Sequence, residues 1–277
     1  MYHSLMIESG QTRHLPLSQG RIAYEISGDG PLVVLSPGMG ELRSTYRLLV
    51  PRLVRAGLRV VSVDLRGHGD SDATFAQYGD SPTAQDLGAL IEHLGEPAVV
   101  VGNSMSAGAA VILAAESPRL VRGLVLTGPF VRPPTVHPAM ALVFRILTAR
   151  PWAAVTWNAY LPHLYAGDLP ADFAQYRAAV RDALRRPGYA RAFSRTTRAD
   201  HGPAERALAA VHAPSLIVMG ENDPDFPDPR AEAEWIGSAL AGRVVMVPRA
   251  GHYPHVQQPD VTADAIIHFI EEELHRA

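Results

Sequence analysis

The 277-residue sequence contains no cysteine, and all 25 of its basic side chains are arginine, so lysine is absent too. Without cysteine there is no disulfide framework, no thiolate nucleophile, no cysteine-ligated metal and no Cys-x-x-Cys redox pair. Without lysine there is no Schiff-base chemistry and no phosphate-binding lysine of the P-loop type. The plain cause of the missing lysine is GC-rich coding, and the chemical exclusions hold whatever the cause. Nucleophiles are thereby restricted to Ser, Thr, Asp, Glu, His and Tyr. Charge is sparse as well: 19% of residues are charged and the net charge is −3. Dispersed arginines in a near-neutral chain give no electrostatic reason to expect nucleic acid.

Long membrane-type segments are also lacking. Met1–Glu8 has neither the basic start nor the apolar run of a signal peptide. Pro97–Ala115 carries no charge over 19 residues, but Gly102, Asn103, Ser104, Ser106 and Gly108 interrupt it. It reads as a buried strand, a sharp turn and a buried helix over Met105–Glu116, not as a membrane span. No membrane association and a cytoplasmic location are expected. A chain of this length buries roughly 75% of its unfolded surface, enough for one good core.

Six short aliphatic runs are strand candidates: Leu32–Ser36, Val60–Val63, Ala98–Val101, Leu124–Thr127, Leu216–Met219 and Val244–Val247. Continuous apolar runs suit parallel strands covered on both faces. His14–Ser18 and Arg21–Ile26 flank a Gln-Gly turn and suggest an antiparallel hairpin at one edge. Between the strands lie helical patterns. One begins at Ser81-Pro82 as N-cap and first turn, is striped by Leu87, Leu90, Ile91 and Leu94, and stops at Gly95. The last helix carries Ile266, Phe269 and Ile270 on one face. The expected fold class is α/β, with a mostly parallel, doubly wound sheet.

Strand patterns cease between about Arg132 and Val211. Helical stretches are expected there over Pro138–Ala149 (Val143, Ile146 and Leu147 on one face), Ala171–Arg185 (Phe173, Tyr176, Val180, Leu184) and Pro203–Ala210, with these stripes facing a small core of their own. Trp152, Trp157, Tyr160 and Tyr165 crowd the middle. The expected organisation is a core of residues 1–131 and 212–277 with an inserted helical lid of residues 132–211. No internal repeat is found.

The strongest local signal is Val101-Gly102-Asn103-Ser104-Met105-Ser106, between a strand and a helix, the setting of a nucleophile elbow. Small neighbours two positions either side of Ser104 let strand and helix approach closely. Ser106 stands where glycine is usual and is the local rival as nucleophile. Asp64-Leu65-Arg66-Gly67-His68-Gly69-Asp70-Ser71 follows a strand. Met219-Gly220-Glu221-Asn222-Asp223-Pro224 and Ala250-Gly251-His252-Tyr253-Pro254 follow two more. In these motifs, along nearly its whole length, the chain resembles the lid-bearing α/β-hydrolases.

That resemblance implies a catalytic serine, acid and histidine in the chain order Ser104, Asp223, His252. A serine hydroxyl needs a base to take its proton, the base returns it to the leaving group, and the acid orients the imidazole. Asp225 and Asp228 compete for the acid position and His255 is the near rival of His252. The family's alternative acid position reads Gly128-Pro129-Phe130 here and holds no carboxylate. His68 lies in a segment that is structural in the family. The resemblance also implies an oxyanion hole from the N–H groups of Met39 and Met105. In Ser36-Pro37-Gly38-Met39-Gly40 the glycines are present but Pro37 replaces the usual histidine.

Phe130, Trp152, Trp157, Tyr160, Phe226 and Tyr253 are the candidate substrate-contacting residues. The expected reaction is hydrolysis of a carboxylic ester, lactone or thioester of an apolar small molecule, with neither cofactor nor metal. Carbon–carbon hydrolysis of the meta-cleavage type is an alternative, because Gly-Asn-Ser-Met resembles that subgroup's elbow. A cofactor-free perhydrolase or haloperoxidase and a hydrolase-derived ligand receptor are the others. Epoxide hydrolase and dehalogenase chemistry is disfavoured because those relatives use an elbow aspartate.

Overall fold

The computed structural model describes residues 11–134, 138–149 and 151–275, so the expectation for Met1–Glu8 lies outside the described residues. Eight strands form one sheet: β1 (Arg13–Leu17), β2 (Gly20–Ser27), β3 (Leu32–Ser36), β4 (Arg59–Val63), β5 (Ala98–Asn103), β6 (Val121–Thr127), β7 (Ser215–Gly220) and β8 (Arg243–Val247). Their spatial order is β1-β2-β4-β3-β5-β6-β7-β8. β1 pairs antiparallel with β2, and β2 antiparallel with β4. All later pairings are parallel. The expected edge hairpin and doubly wound sheet are both present.

Continuous apolar runs form these strands because both faces are covered. Val34, Val100, Leu126 and Ile217 face one side, packed with α2 (Asp80–Leu94), α3 (Met105–Glu116) and α9 (Pro229–Ala239). Val33, Leu35, Val101 and Val218 face the other, toward α1 (Val50–Arg55) and α11 (Pro259–His275). β6 starts three residues before the expected Leu124, because Gly123 and the exposed Arg122 break its apolar run although Val121 and Gly123 already pair with β5.

α2 ends where expected, at Gly95 in the left-handed region (φ 81°). Its start is corrected. The helix is capped at Gly79 and begins with Asp80, ahead of Ser81-Pro82. The Asp80 carboxylate is buried, 2.8 Å from His201 Nδ1, so a partner far along the chain draws one more residue into the helix.

Between β6 and β7 lie α4 (Pro138–Leu147), α5 (Ala153–Leu164), α6 (Phe173–Arg185), α7 (Tyr189–Thr196) and α8 (Gly202–Ala207). α10 (Pro254–Gln257) precedes α11. α5 and α7 are additions to the expected set. α5 is rich in aromatic and β-branched residues and carries Pro162 near its end, all weak helix signals. It is held by burial of Trp157, Leu161 and Leu164 against Tyr176, Val180 and Leu184 of α6. A second correction concerns α4: Val143, Ile146 and Leu147, expected to face a core, are 46%, 54% and 45% exposed.

Candidate active site

Ser104 stands directly after β5 and directly before α3, with φ 57° and ψ −123°. It is one of three non-glycine residues with positive φ among the described residues. A side chain held in this region is strained, and such strain clusters at functional sites. The turn is possible because Gly102 has no Cβ; one built there would strike the Ser106 carbonyl. The Ser104 N–H donates to the Thr127 carbonyl (3.0 Å), and its own carbonyl accepts from Phe130 N–H (3.2 Å). These bonds fix the elbow against the end of β6.

Ser106, the rival, is fully buried and committed elsewhere. Its hydroxyl donates to the Pro37 carbonyl (2.6 Å) and accepts from Ser36 Oγ (2.9 Å). A serine at this position ties the elbow helix to the loop after β3, which a glycine would not do.

His252 and Asp223 follow β8 and β7, so all three residues sit beyond the carboxyl ends of parallel strands in the same half of the sheet, where α/β sheets place their sites. His252 Nδ1 lies 2.8 Å from Asp223 Oδ2, and both side chains are buried. Burial by itself lowers the imidazole pKa. The Asp223 charge and hydrogen bond, with the charge of Asp225, outweigh it and raise the pKa to about 9. Asn103 Nδ2 donates to the carbonyls of Thr127 (2.9 Å) and His252 (3.3 Å), so the elbow and the histidine loop are cross-linked.

The rivals are placed apart by their contacts. Asp228 caps α9, accepting from the Ala231 N–H at 3.0 Å. Asp225 is nearer, 3.7 Å from His252 Nδ1, and accepts the Tyr160 hydroxyl at 2.9 Å. Asp223, Asp225 and His252 are the group among the described residues whose ligand atoms lie close enough to hold a cation. The shorter His252–Asp223 contact already commits Nδ1. His255 is buried against Tyr46, with Nε2 3.1 Å from Thr45 Oγ1, and burial pushes its pKa down to about 3.

The loop after β3 lies on the elbow. A Cβ on Gly38 would sit 2.9 Å from Ser104 Cβ, so only glycine lets the backbone approach this closely. Gly38–Glu41 closes a turn through Glu41 N–H to the Gly38 carbonyl (3.2 Å), with Gly40 at φ 77°. Gly40 N–H donates to His68 Nε2 (3.0 Å) and the Gly40 carbonyl accepts Trp157 Nε1–H (3.0 Å). Met105 is buried at the first position of α3, and Met39 packs partly buried against the α5–α6 cluster.

Of the aromatic candidates, Phe130 lies 5.9 Å from the His252 ring and 4.9 Å from Phe226, ring centre to ring centre. Trp157 and Tyr160 join the site through Gly40 and Asp225. Tyr253 has a different place: it is buried between Tyr165 and His252, its ring at right angles to the imidazole. Trp152 is 58% exposed and is not among the aromatics buried around the pair.

Glu41 was not legible as a site residue. Its carboxyl is buried beside the loop, where burial raises its pKa to about 7 against the lowering influence of the Tyr176 hydrogen bond. The Tyr176 hydroxyl donates to Oε2 (2.6 Å), and Oε1 is buried without a partner. A lone glutamate after a glycine turn carries no pattern; its partner lies 135 residues away.

The chain belongs to the α/β-hydrolase family: a profile described as "Alpha/beta hydrolase family" matches residues 33–265. It is 30% identical over 268 residues to 2-(acetamidomethylene)succinate hydrolase of Mesorhizobium japonicum, covering 91% of this chain and 93% of that one. It is 29% identical over 249 residues to the pimeloyl-[acyl-carrier protein] methyl ester esterase of Neisseria meningitidis, covering 86% and 93%. Among solved structures, a thermophilic esterase from Thermogutta terrifontis superposes with a TM-score of 0.80 at 22% identity, covering 95% and 99%, and shares the fold. No helix among the described residues is long and apolar enough to cross a membrane.

Proposed function

We propose that this hydrolase cleaves a carboxylic ester, lactone or thioester of an apolar small molecule through an acyl-enzyme on Ser104. The observation that carries the reading is the strained Ser104 elbow, tied through Asn103 to the loop that bears the buried His252–Asp223 pair. In this mechanism neutral His252 takes the Ser104 hydroxyl proton as Oγ attacks the carbonyl carbon. Asp223 holds the Nδ1–H tautomer and stabilises the imidazolium. The N–H groups of Met39 and Met105 receive the negative charge on the former carbonyl oxygen. His252 then protonates the leaving group, and water, deprotonated by the same imidazole, releases the acid. Phe130, Trp157, Tyr160 and Phe226 supply apolar walls, and the helices from α4 to α8 form the lid.

Similarity to the pimeloyl-[acyl-carrier protein] methyl ester esterase supports the bond type. The test is labelling with a fluorophosphonate, which phosphonylates activated serines. Stoichiometric labelling of the wild type and none of Ser104→Ala is the expected outcome; equal labelling of both removes the assignment. A panel of short-chain esters, lactones, thioesters and vinylogous diketones then sorts the bond cleaved. Turnover confined to the diketones identifies carbon–carbon hydrolysis instead.

A further inference from the structure

We propose that Trp157, on α5, is a positioning residue for the oxyanion hole, holding the Gly38–Glu41 turn together with His68 and Tyr176. This rests on the reading of Met39 N–H as an oxyanion donor. In a trans peptide the N–H and the C=O point in opposite directions. The peptide that carries Met39 N–H is the one that carries the Gly38 carbonyl. Whatever holds that carbonyl therefore aims the donor, and the group that holds it is Glu41 N–H, at 3.2 Å.

The turn that delivers Glu41 N–H is secured at each of its next three peptide positions. Gly40 occupies the left-handed region required of the third residue in a type II turn. Its N–H is received by His68 Nε2. His68 Nδ1 lies 3.0 Å from the Arg66 carbonyl, so Nδ1 carries the proton and Nε2 the lone pair. Burial lowers the His68 pKa to about 4, which keeps the ring in the neutral form that this arrangement needs. The Gly40 carbonyl is held by the Trp157 indole N–H, and a Cβ on Gly40 would strike the same indole. Tyr176 Oη accepts Leu42 N–H (3.2 Å) while its hydroxyl proton goes to Glu41 Oε2.

Two of these three braces, Trp157 and Tyr176, come from the helices inserted between β6 and β7. The third, His68, comes from the Asp64–Ser71 turn, which needs no insertion. The oxyanion turn is thus shared between the sheet and the insertion. Pro37, which has neither an N–H nor a polar side chain, leaves the turn to be held from outside.

The test compares the rate of fluorophosphonate labelling, because the phosphonyl oxygen enters the same hole as a substrate oxyanion. Trp157→Phe keeps an aromatic ring and removes the N–H. It is expected to slow labelling and kcat roughly 10- to 100-fold, as for small misplacements of catalytic groups, with KM for a short substrate within about twofold. Tyr176→Phe is expected to act in the same sense and stands in if Trp157→Phe does not fold. An unchanged labelling rate in a folded Trp157→Phe, or a change confined to KM, overturns the proposal, the latter leaving Trp157 its role as a substrate wall alone. Absence of Ser104 labelling in the wild type is a separate result and overturns the serine-hydrolase reading itself.

Discussion

The sheet and the helical insertion draw on the same aliphatic and aromatic residues, yet they hold together in different ways. In the sheet, the inner strands are buried by neighbours on both sides and both faces, as Val34, Val100 and Ile217 show at 0% exposure. In the insertion, burial is local. Trp157, Leu161, Tyr176 and Val180 form one cluster, while α4 presents Leu142, Phe144 and Ile146 outward. The sheet therefore sets where Ser104, Asp223 and His252 stand. The insertion contributes hydrogen bonds to groups the sheet has already placed: Trp157 to Gly40, Tyr160 to Asp225, and the Leu164 carbonyl to His252 N–H (2.8 Å).

Four measurements bear on that division. The largest effect belongs to residues that the sheet positions: His252→Ala is expected to lower kcat by roughly 10³ or more, the scale for loss of a triad member. A loss much smaller than that for Trp157→Phe would agree with the insertion acting on placement, and an equal loss would abolish the contrast. Next, Ile217→Ala opens the centre of the sheet and is expected to cost about 2–5 kcal/mol in urea unfolding. A value near zero would mean the core relaxes around β7.

The pH profile comes third. In the proposed mechanism His252 acts as base only when neutral, and its pKa is raised to about 9, so kcat/KM is expected to rise with pH up to about 9. In Asp223→Asn the midpoint falls, because burial stays and the attracting charge goes. The stability contribution has the opposite course. A folded pKa above the unfolded 6.5 stabilises fully below that value and is lost as pH rises through about 9. A rate profile flat from neutral pH to 9 would show that the imidazole is not held charged. The smallest effect is expected for Ile146→Ala, on exposed α4, within about 0.5 kcal/mol. A clear loss there would show that the α4 face is covered in solution.

The strands were legible because a run such as Leu216–Met219 is buried whichever way each side chain points, so its hydrophobicity alone declares it. Their ends were less so: Arg122 is exposed at the rim of β6, where the register with β5 shifts between Val121 and Gly123. Helices with a clear polar face, such as α6, were legible by period. α5 was not, since its residues favour helix only once Tyr176, Val180 and Phe193 lie against them, and the eight residues of α7 are too few to show a period. α4 was misjudged for the converse reason: a stripe at helical spacing states that a face is apolar, not that anything covers it.

The candidate residues Ser104, Asp223 and His252 could each be proposed from the sequence, since each sits in a motif that resembles the family's. Glycine at 102 and a strained residue at 104 are local steric demands, and local demands are written in neighbouring residues. What only the tertiary structure decided was which atoms meet: Ser106 with Pro37, Asp80 with His201, Gly40 with both His68 and Trp157, and Glu41 with Tyr176. Those contacts join residues between 28 and 135 positions apart, apart from the strand-to-strand pairs. Hydrogen bonds at such separations depend on distance in the folded chain, and nothing in either partner's immediate sequence encodes it.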